Sequence, residues 1–193
     1  AVAKTILLAV LLAGWQTAAA ITWTGAGGHD WNDPANWDEG RVPGNTDNVF
    51  VPSGTPTCVV PQATQIQVQS LSNYGVVTSD GIMYLQTSGD VENHGTMTAG
   101  LNNTMDIQAG GDFTNQGNVI AGYPKVSCDN FTNGSSGSFS ASTGDLHYAT
   151  VKCAGDATNA GTMEAGTDNS SSPAGWVHVE CGGNFTNTGT AKG

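Results

Sequence analysis

The chain has few charged side chains, and positive ones are especially scarce. Asp, Glu, Lys and Arg make up 11% of its 193 residues, whereas an average soluble domain contains roughly 25%. Five Lys and Arg residues stand against 16 acidic ones, so the formal net charge is −11. Because nucleic acids and anionic membranes bind basic clusters, the composition excludes nucleic acid as a partner and makes a membrane surface a poor one.

Residue clusters of the kind that carry catalysis are also missing. Hydrolases and lyases on elongated β folds need paired carboxylates, or carboxylates beside a base, on one exposed face. Arg41 stands alone, and no phosphate loop, zinc signature or nucleophile motif occurs. Four histidines are scattered without metal-ligand spacing, at His29, His94, His147 and His178. We therefore expect no catalytic residue, no metal and no cofactor, and a protein that is not an enzyme.

Residues 1–20 have the layout of a secretory signal. Lys4 precedes an apolar run from Ile6 to Trp15, and small residues follow at 18–20. The run is short for a membrane span, which needs about 20 apolar residues. We expect export to the cell surface or medium, with membrane contact only transient or through residues 1–20. A second interpretation, that the segment is retained for assembly, stays open.

A repeat is the main signal in the sequence. Segments such as GDFTNQGNVIAG and GDATNAGTMEAG align around an Asn, and their spacings of 20, 22, 18, 26 and 28 residues match single coils of a β-solenoid. Apolar residues alternate with polar ones on both sides of the Asn, as in strands with one buried face. The anchoring residues are Asn73, Asn93, Asn115, Asn133, Asn159 and Asn187.

This pattern predicts an all-β fold over 58–193, a right-handed parallel β-helix (β-solenoid) of about six coils. Each coil would carry about three short strands. The N-x-G corner is expected to need positive φ, which Gly supplies freely and Asn tolerates. Amide side chains at equivalent corners are expected to hydrogen-bond along the stack.

The repeat units resemble those of bacterial surface β-helix proteins, namely filamentous-haemagglutinin-type adhesins and autotransporter passengers. The resemblance covers residues 58–193. It rests on the N-x-G motif and on the alternation of apolar and polar residues that follows the motif. It implies export, self-association or adhesion.

Residues 21–57 differ from the repeats and carry Trp23, Trp31 and Trp37. They are similar to the opening segment of secreted β-helix proteins. A solenoid end must be covered, because it exposes core side chains and unpaired strand edges. We expect these residues to form a Trp-rich cap; the alternative is a platform on which sugar rings stack.

The four cysteines, Cys58, Cys128, Cys153 and Cys181, are disulfide candidates in an exported protein. Three of them, Cys128, Cys153 and Cys181, precede their anchoring Asn by five or six residues, so they fall near one column on successive coils. We expect one bond within this column, with Cys58 and the remaining column cysteine available for a second bond between consecutive subunits. The alternative is that the unpaired cysteines are small buried hydrophobic residues.

The sequence stops at Gly193 inside a repeat, so we expect an open coil that invites another chain. The predicted function is an extracellular structural protein that assembles head to tail into a filament or surface fibre. The alternative is a surface adhesin or carbohydrate-binding module, with surface glycans as partners. N-x-[ST] sequons in inter-strand loops make Asn102 and Asn169 glycosylation candidates.

Overall fold

A computed structural model describes residues 19–142, 147–166 and 175–193. It consists of short strands and, in these ranges, a single 3-10 helix at Pro34–Asn36. The strands in chain order are β1 (Ile21–Thr22), β2 (Asn48–Val51), β3 (Cys58–Val59), β4 (Gln65–Val68), β5 (Ser70–Asn73), β6 (Val76–Thr78), β7 (Met83–Thr87), β8 (Val91–Asn93), β9 (Thr96–Thr98), β10 (Thr104–Ala109), β11 (Phe113–Asn115), β12 (Asn118–Ala121), β13 (Tyr123–Cys128), β14 (Phe131–Asn133), β15 (Ser138–Ala141), β16 (Ala149–Cys153), β17 (Ala157–Asn159), β18 (Thr162–Glu164), β19 (Val177–Cys181), β20 (Phe185–Asn187) and β21 (Thr190–Lys192).

The strands form three parallel sheets that wind around one core. Sheet 1 has the order β1-β2-β5-β8-β11-β14-β17-β20, sheet 2 runs from β3 to β21, and sheet 3 runs from β4 to β19. From β2 onward, neighbours within a sheet are three strands apart in sequence, so each three strands make one coil. Strands β2 to β19 give six full coils, and β20 with β21 begins a seventh. The predicted β-solenoid is confirmed.

Alternating side chains explain why these segments are strands. Inward positions repeat on every coil and stack into columns, such as Ile66, Leu85, Ile107, Val126 and Val151 in sheet 3, which are all buried. The residues between them face solvent, as expected for a period of two. In sheet 1 the rings of Phe113 and Phe131 stack with centroids 5.7 Å apart. Because parallel pairing keeps this register, every coil buries its apolar face on its neighbours.

The six anchoring asparagines form a ladder in the corner between sheets 1 and 2, where the first five are buried and Asn187 is exposed. Each of the first five amide nitrogens donates at 2.8 Å to the amide oxygen of the next coil, from Asn73 through to Asn187. Each of these five also donates to a backbone carbonyl at the start of the next sheet 2 strand, for example Asn115 to Ser138 at 3.0 Å. The ladder thus satisfies polar groups that would otherwise be buried without a partner.

The corner glycines have a different role from the one predicted. Among the described residues, positive φ occurs at Ala63 and at four glycines, Gly25, Gly28, Gly40 and Gly54. None of these is the glycine of an N-x-G corner. A Cβ on Gly95 would instead collide with the carbonyl oxygen of Gly75, and one on Gly117 with that of Gly95. Glycine is needed here because neighbouring coils approach closely, and the expectation based on φ was wrong.

A second ladder runs along the outside of sheet 1. A side-chain oxygen of Asp90 accepts the backbone N–H of Asp112 at 2.9 Å. The same contact links Asp112 to Asn130 and Asn130 to Asp156. The Asn130 amide also donates to Asp112, at 2.8 Å. The side-chain amide of Asn130 therefore separates the carboxylates of Asp112 and Asp156 and adds a hydrogen-bond donor to the column.

The solenoid begins earlier than the predicted boundary at residue 58. Strand β2, within the segment assigned to the cap, already pairs with β5, and β1 pairs with β2. The predicted hydrophobic segment lies almost wholly outside the described residues, since the description starts at residue 19. In the described ranges, no helix has the length and apolar character needed to cross a membrane.

We expect Asn115→Ala to lower the free energy of unfolding by about 2–4 kcal/mol, because it leaves buried groups of the ladder unpaired. Urea denaturation followed by circular dichroism measures the change. Thr114→Ala, on the outer side of the same strand, is the matched control and should stay within about 0.5 kcal/mol of the wild type. Equal losses in the two variants would contradict a stabilising ladder.

Candidate assembly interface

One end of the solenoid is closed by an aromatic cluster. Trp23, Trp31 and Trp37 are 0%, 2% and 3% exposed. The ring of Trp37 meets those of Trp23 and Trp31 edge to face, with centroids 5.1 and 4.7 Å apart. The indole N–H groups of Trp23 and Trp37 donate to the carbonyls of Pro56 and Trp31 at 2.7 and 2.9 Å. The Trp-rich cap is confirmed, and these rings are not available as a sugar-stacking platform.

The cap also occupies strand edges at this end. The backbone N–H of Val59 on β3 donates to His29, and its carbonyl accepts from Trp31. On β1, Thr22 receives an N–H bond from Asp38 and gives its own N–H to the Asp38 side chain at 2.9 Å. Residues 29–38 therefore pair the free edges of sheets 1 and 2.

An ion pair holds the loop that follows the cap. Arg41 donates to both carboxylate oxygens of Asp47, at 2.6 and 2.8 Å, and the Gly44 N–H donates to the same group at 2.7 Å. The hydrogen bond from Arg41 is the main reason that the pKa of Asp47 lies below its ordinary value. The sole Arg of the sequence thus has a structural partner.

The opposite end of the described chain exposes part of its core. Strands β19, β20 and β21 are the last members of their sheets, so in the described chain each pairs on one side. Phe185 is 46% exposed, whereas Phe113 and Phe131, three and two coils earlier in the same column, are buried. Together with Val177, Val179, Trp176 and Ala191, it lines a depression of about 470 Å³. We call this surface the rim.

An aromatic column on the outside leads to the rim. Tyr123, Tyr148 and Trp176 lie one above another at the start of sheet 3, with ring centroids 4.9 and 5.0 Å apart. The last two rings are nearly parallel, and Trp176 is 53% exposed. An aromatic residue stands at the first position of β13 and directly before β16 and β19. This spacing is visible in the sequence, but the sequence analysis did not predict the column.

The cysteines lie partly where they were predicted. Cys128, Cys153 and Cys181 are in register on β13, β16 and β19. All four cysteines are free thiols, so no disulfide is present. Cys58 is fully buried beneath the cap, where burial raises the pKa of its thiol. The structure therefore contradicts Cys58 as an accessible partner for a bond between subunits.

The two predicted glycosylation candidates lie in different places. Asn102 lies exposed in a turn between β9 and β10, and Asn169 falls outside the described residues.

A polar groove that the sequence analysis missed runs beside sheet 3, where Gln67, Gln86 and Gln108 are in register. No group of three or more His, Cys, Asp or Glu side chains suited to a metal ion occurs in the described ranges.

Comparison with family models, curated proteins and solved structures finds no match. The resemblance to filamentous-haemagglutinin-type and autotransporter repeats therefore remains a prediction.

Replacing Trp37 tests the cap. We expect Trp37→Ala to cost about 3–5 kcal/mol of unfolding free energy, because it removes a buried ring and its hydrogen bond. Trp176→Ala removes an exposed ring and should cost less than about 1.5 kcal/mol. Chemical denaturation of both variants gives the comparison. A Trp37 variant as stable as the wild type would show that the cluster does not hold the end closed.

Proposed function

We propose that the protein is an extracellular structural subunit that assembles head to tail into a filament or surface fibre. The observation that carries this proposal is the rim, where the apolar side chains of Phe185, Val179 and Ala191 are exposed or half-buried beside strands that, in the described chain, pair on one side only. Core side chains that are buried on every earlier coil are exposed at this rim.

A second copy of the chain is the occupant we propose for the rim. Exposed apolar side chains beside unpaired strand edges favour addition of another chain. The rim and the cap are different surfaces, so their contact is heterologous and repeats without closing on itself. This is the property that a filament requires.

A substitution on the rim tests assembly. Phe185→Glu introduces a charge into the proposed contact, so we expect a monomer where the wild type forms filaments or oligomers. Leu101→Glu is the matched control, because Leu101 is 68% exposed and lies on a turn away from the rim. Light scattering after size exclusion and negative-stain electron microscopy measure the assembly state.

Circular dichroism establishes that both variants keep their β structure. Six coils at about 4.8 Å give a rise of roughly 29 Å, so a filament repeat of a few tens of Å is expected. A wild-type protein that remains monomeric at high concentration, or a Phe185→Glu variant that still assembles, would overturn the proposal.

Glycan binding is a second candidate, favoured by the groove beside sheet 3. Gln67 donates to Gln86 at 3.1 Å, and Gln108 continues the row on the next coil. Uncharged amides spaced by one coil suit a neutral polymer with many hydroxyl groups. Co-sedimentation with insoluble polysaccharides tests this, and the double variant Gln86→Ala with Gln108→Ala should lose any binding. Unchanged binding in that variant would exclude the groove.

A further inference from the structure

We propose that Cys153 and Cys181 are a peroxide-oxidisable pair, whose disulfide fastens the edge strand β19 to the neighbouring strand β16. Cys128, although it lies in the same column, stays reduced. The inference concerns the fold of a single chain and does not depend on assembly.

The register brings the two sulfur atoms together. Cys153 and Cys181 are direct partners across β16 and β19. Adjacent strands lie about 4.8 Å apart, which is within the roughly 4.4–6.8 Å between Cα atoms that a disulfide requires. Both side chains point toward the turn after their strand: Cys153 donates to the Asp156 carbonyl at 3.5 Å, and Cys181 donates to the Gly183 carbonyl at 3.6 Å.

Cys153 lies between Cys128 and Cys181 and could form a disulfide with either of them. The solvent exposure of these two neighbours decides which pair reacts. Cys181 lies on the edge strand and is half-buried, while Cys128 lies two strands inward and is buried. Burial is the main cause that raises the pKa of Cys128 to about 12. Since the thiolate is the reactive form, Cys181 meets an oxidant first, and its neighbour across the strands is Cys153, not Cys128.

The chemistry consumes one hydroperoxide. The Cys181 thiolate attacks a peroxide oxygen, the O–O bond breaks, and a sulfenic acid and water form. The Cys153 thiolate then attacks the Cys181 sulfur, the S–S bond forms, and the sulfenic oxygen leaves as a second water. Two thiols have lost two hydrogens and two electrons, which the peroxide has accepted.

The bond would close a loop of about 28 residues that includes β17 and β18. Loops of this size constrain the unfolded chain substantially. Oxidation should therefore stabilise strand β19, which in the described chain pairs on one side only.

The test oxidises reduced full-length protein with equimolar hydrogen peroxide, blocks the remaining thiols after denaturation, and maps the peptides. Cleavage after Lys152, Glu164 and Glu180 places Cys153 and Cys181 on separate peptides. We expect these two peptides linked, with Cys58 and Cys128 alkylated. A Cys128–Cys153 link, a link between two chains, or four alkylated cysteines would overturn the inference.

Two variants complete the test. Cys128→Ser should still form the bond, and Cys181→Ser should not. Oxidation should raise the melting temperature of the wild type by about 5 °C or more and leave Cys181→Ser unchanged. Repeating the mapping in Phe185→Glu separates this inference from the proposed assembly, because the bond should form equally in a chain that cannot polymerise. No difference in melting temperature would remove the stabilising role.

Discussion

The structure depends on parallel hydrogen bonding in strict register, which places equivalent side chains of successive coils directly above one another. A column of Val and Ile buries apolar surface on both sides of every member. The column of asparagines uses the same register for polar groups, because each amide finds its acceptor one coil further on. A shift of one residue would send every inward side chain to the solvent face. The amide ladder and the apolar columns therefore enforce the same alignment.

Much of this arrangement could be predicted from the sequence, because register is periodic and periodicity is visible in a single chain. The spacing of Asn73 to Asn187 indicated the coils, and the three tryptophans indicated a cap. The reason for the corner glycines was not predictable in the same way. Close approach of Gly95 to Gly75 is a contact between coils, and a local turn rule assigns it to φ. The early start of the solenoid at β2 was missed because Val51 occupies the ladder position where later coils have Asn.

The two ends of the stack differ in how they treat strand edges and core side chains. At the capped end, aromatic rings cover the core, and the segment from His29 to Asp38 pairs the strand edges of sheets 1 and 2. At the rim, Phe185 and Val179 occupy core positions but are exposed and half-buried in the described chain. The two ends of the stack therefore differ: one has its strand edges and core side chains covered, and the other exposes them. This difference underlies both the proposed head-to-tail contact and the partial exposure of Cys181.

Two corners of the coil differ in how many connecting residues they accommodate. One lies between sheets 1 and 2, and the other lies between sheets 2 and 3. The first is fixed by the amide ladder and the tight glycine contact, so β11 and β12 are separated by only two residues. The second varies more, from one residue between β12 and β13 to twelve between β18 and β19, while the strands keep their register. Foreign peptides inserted at the second corner on several coils would thus be displayed in a row, spaced by the thickness of a strand, on a scaffold whose interior does not change.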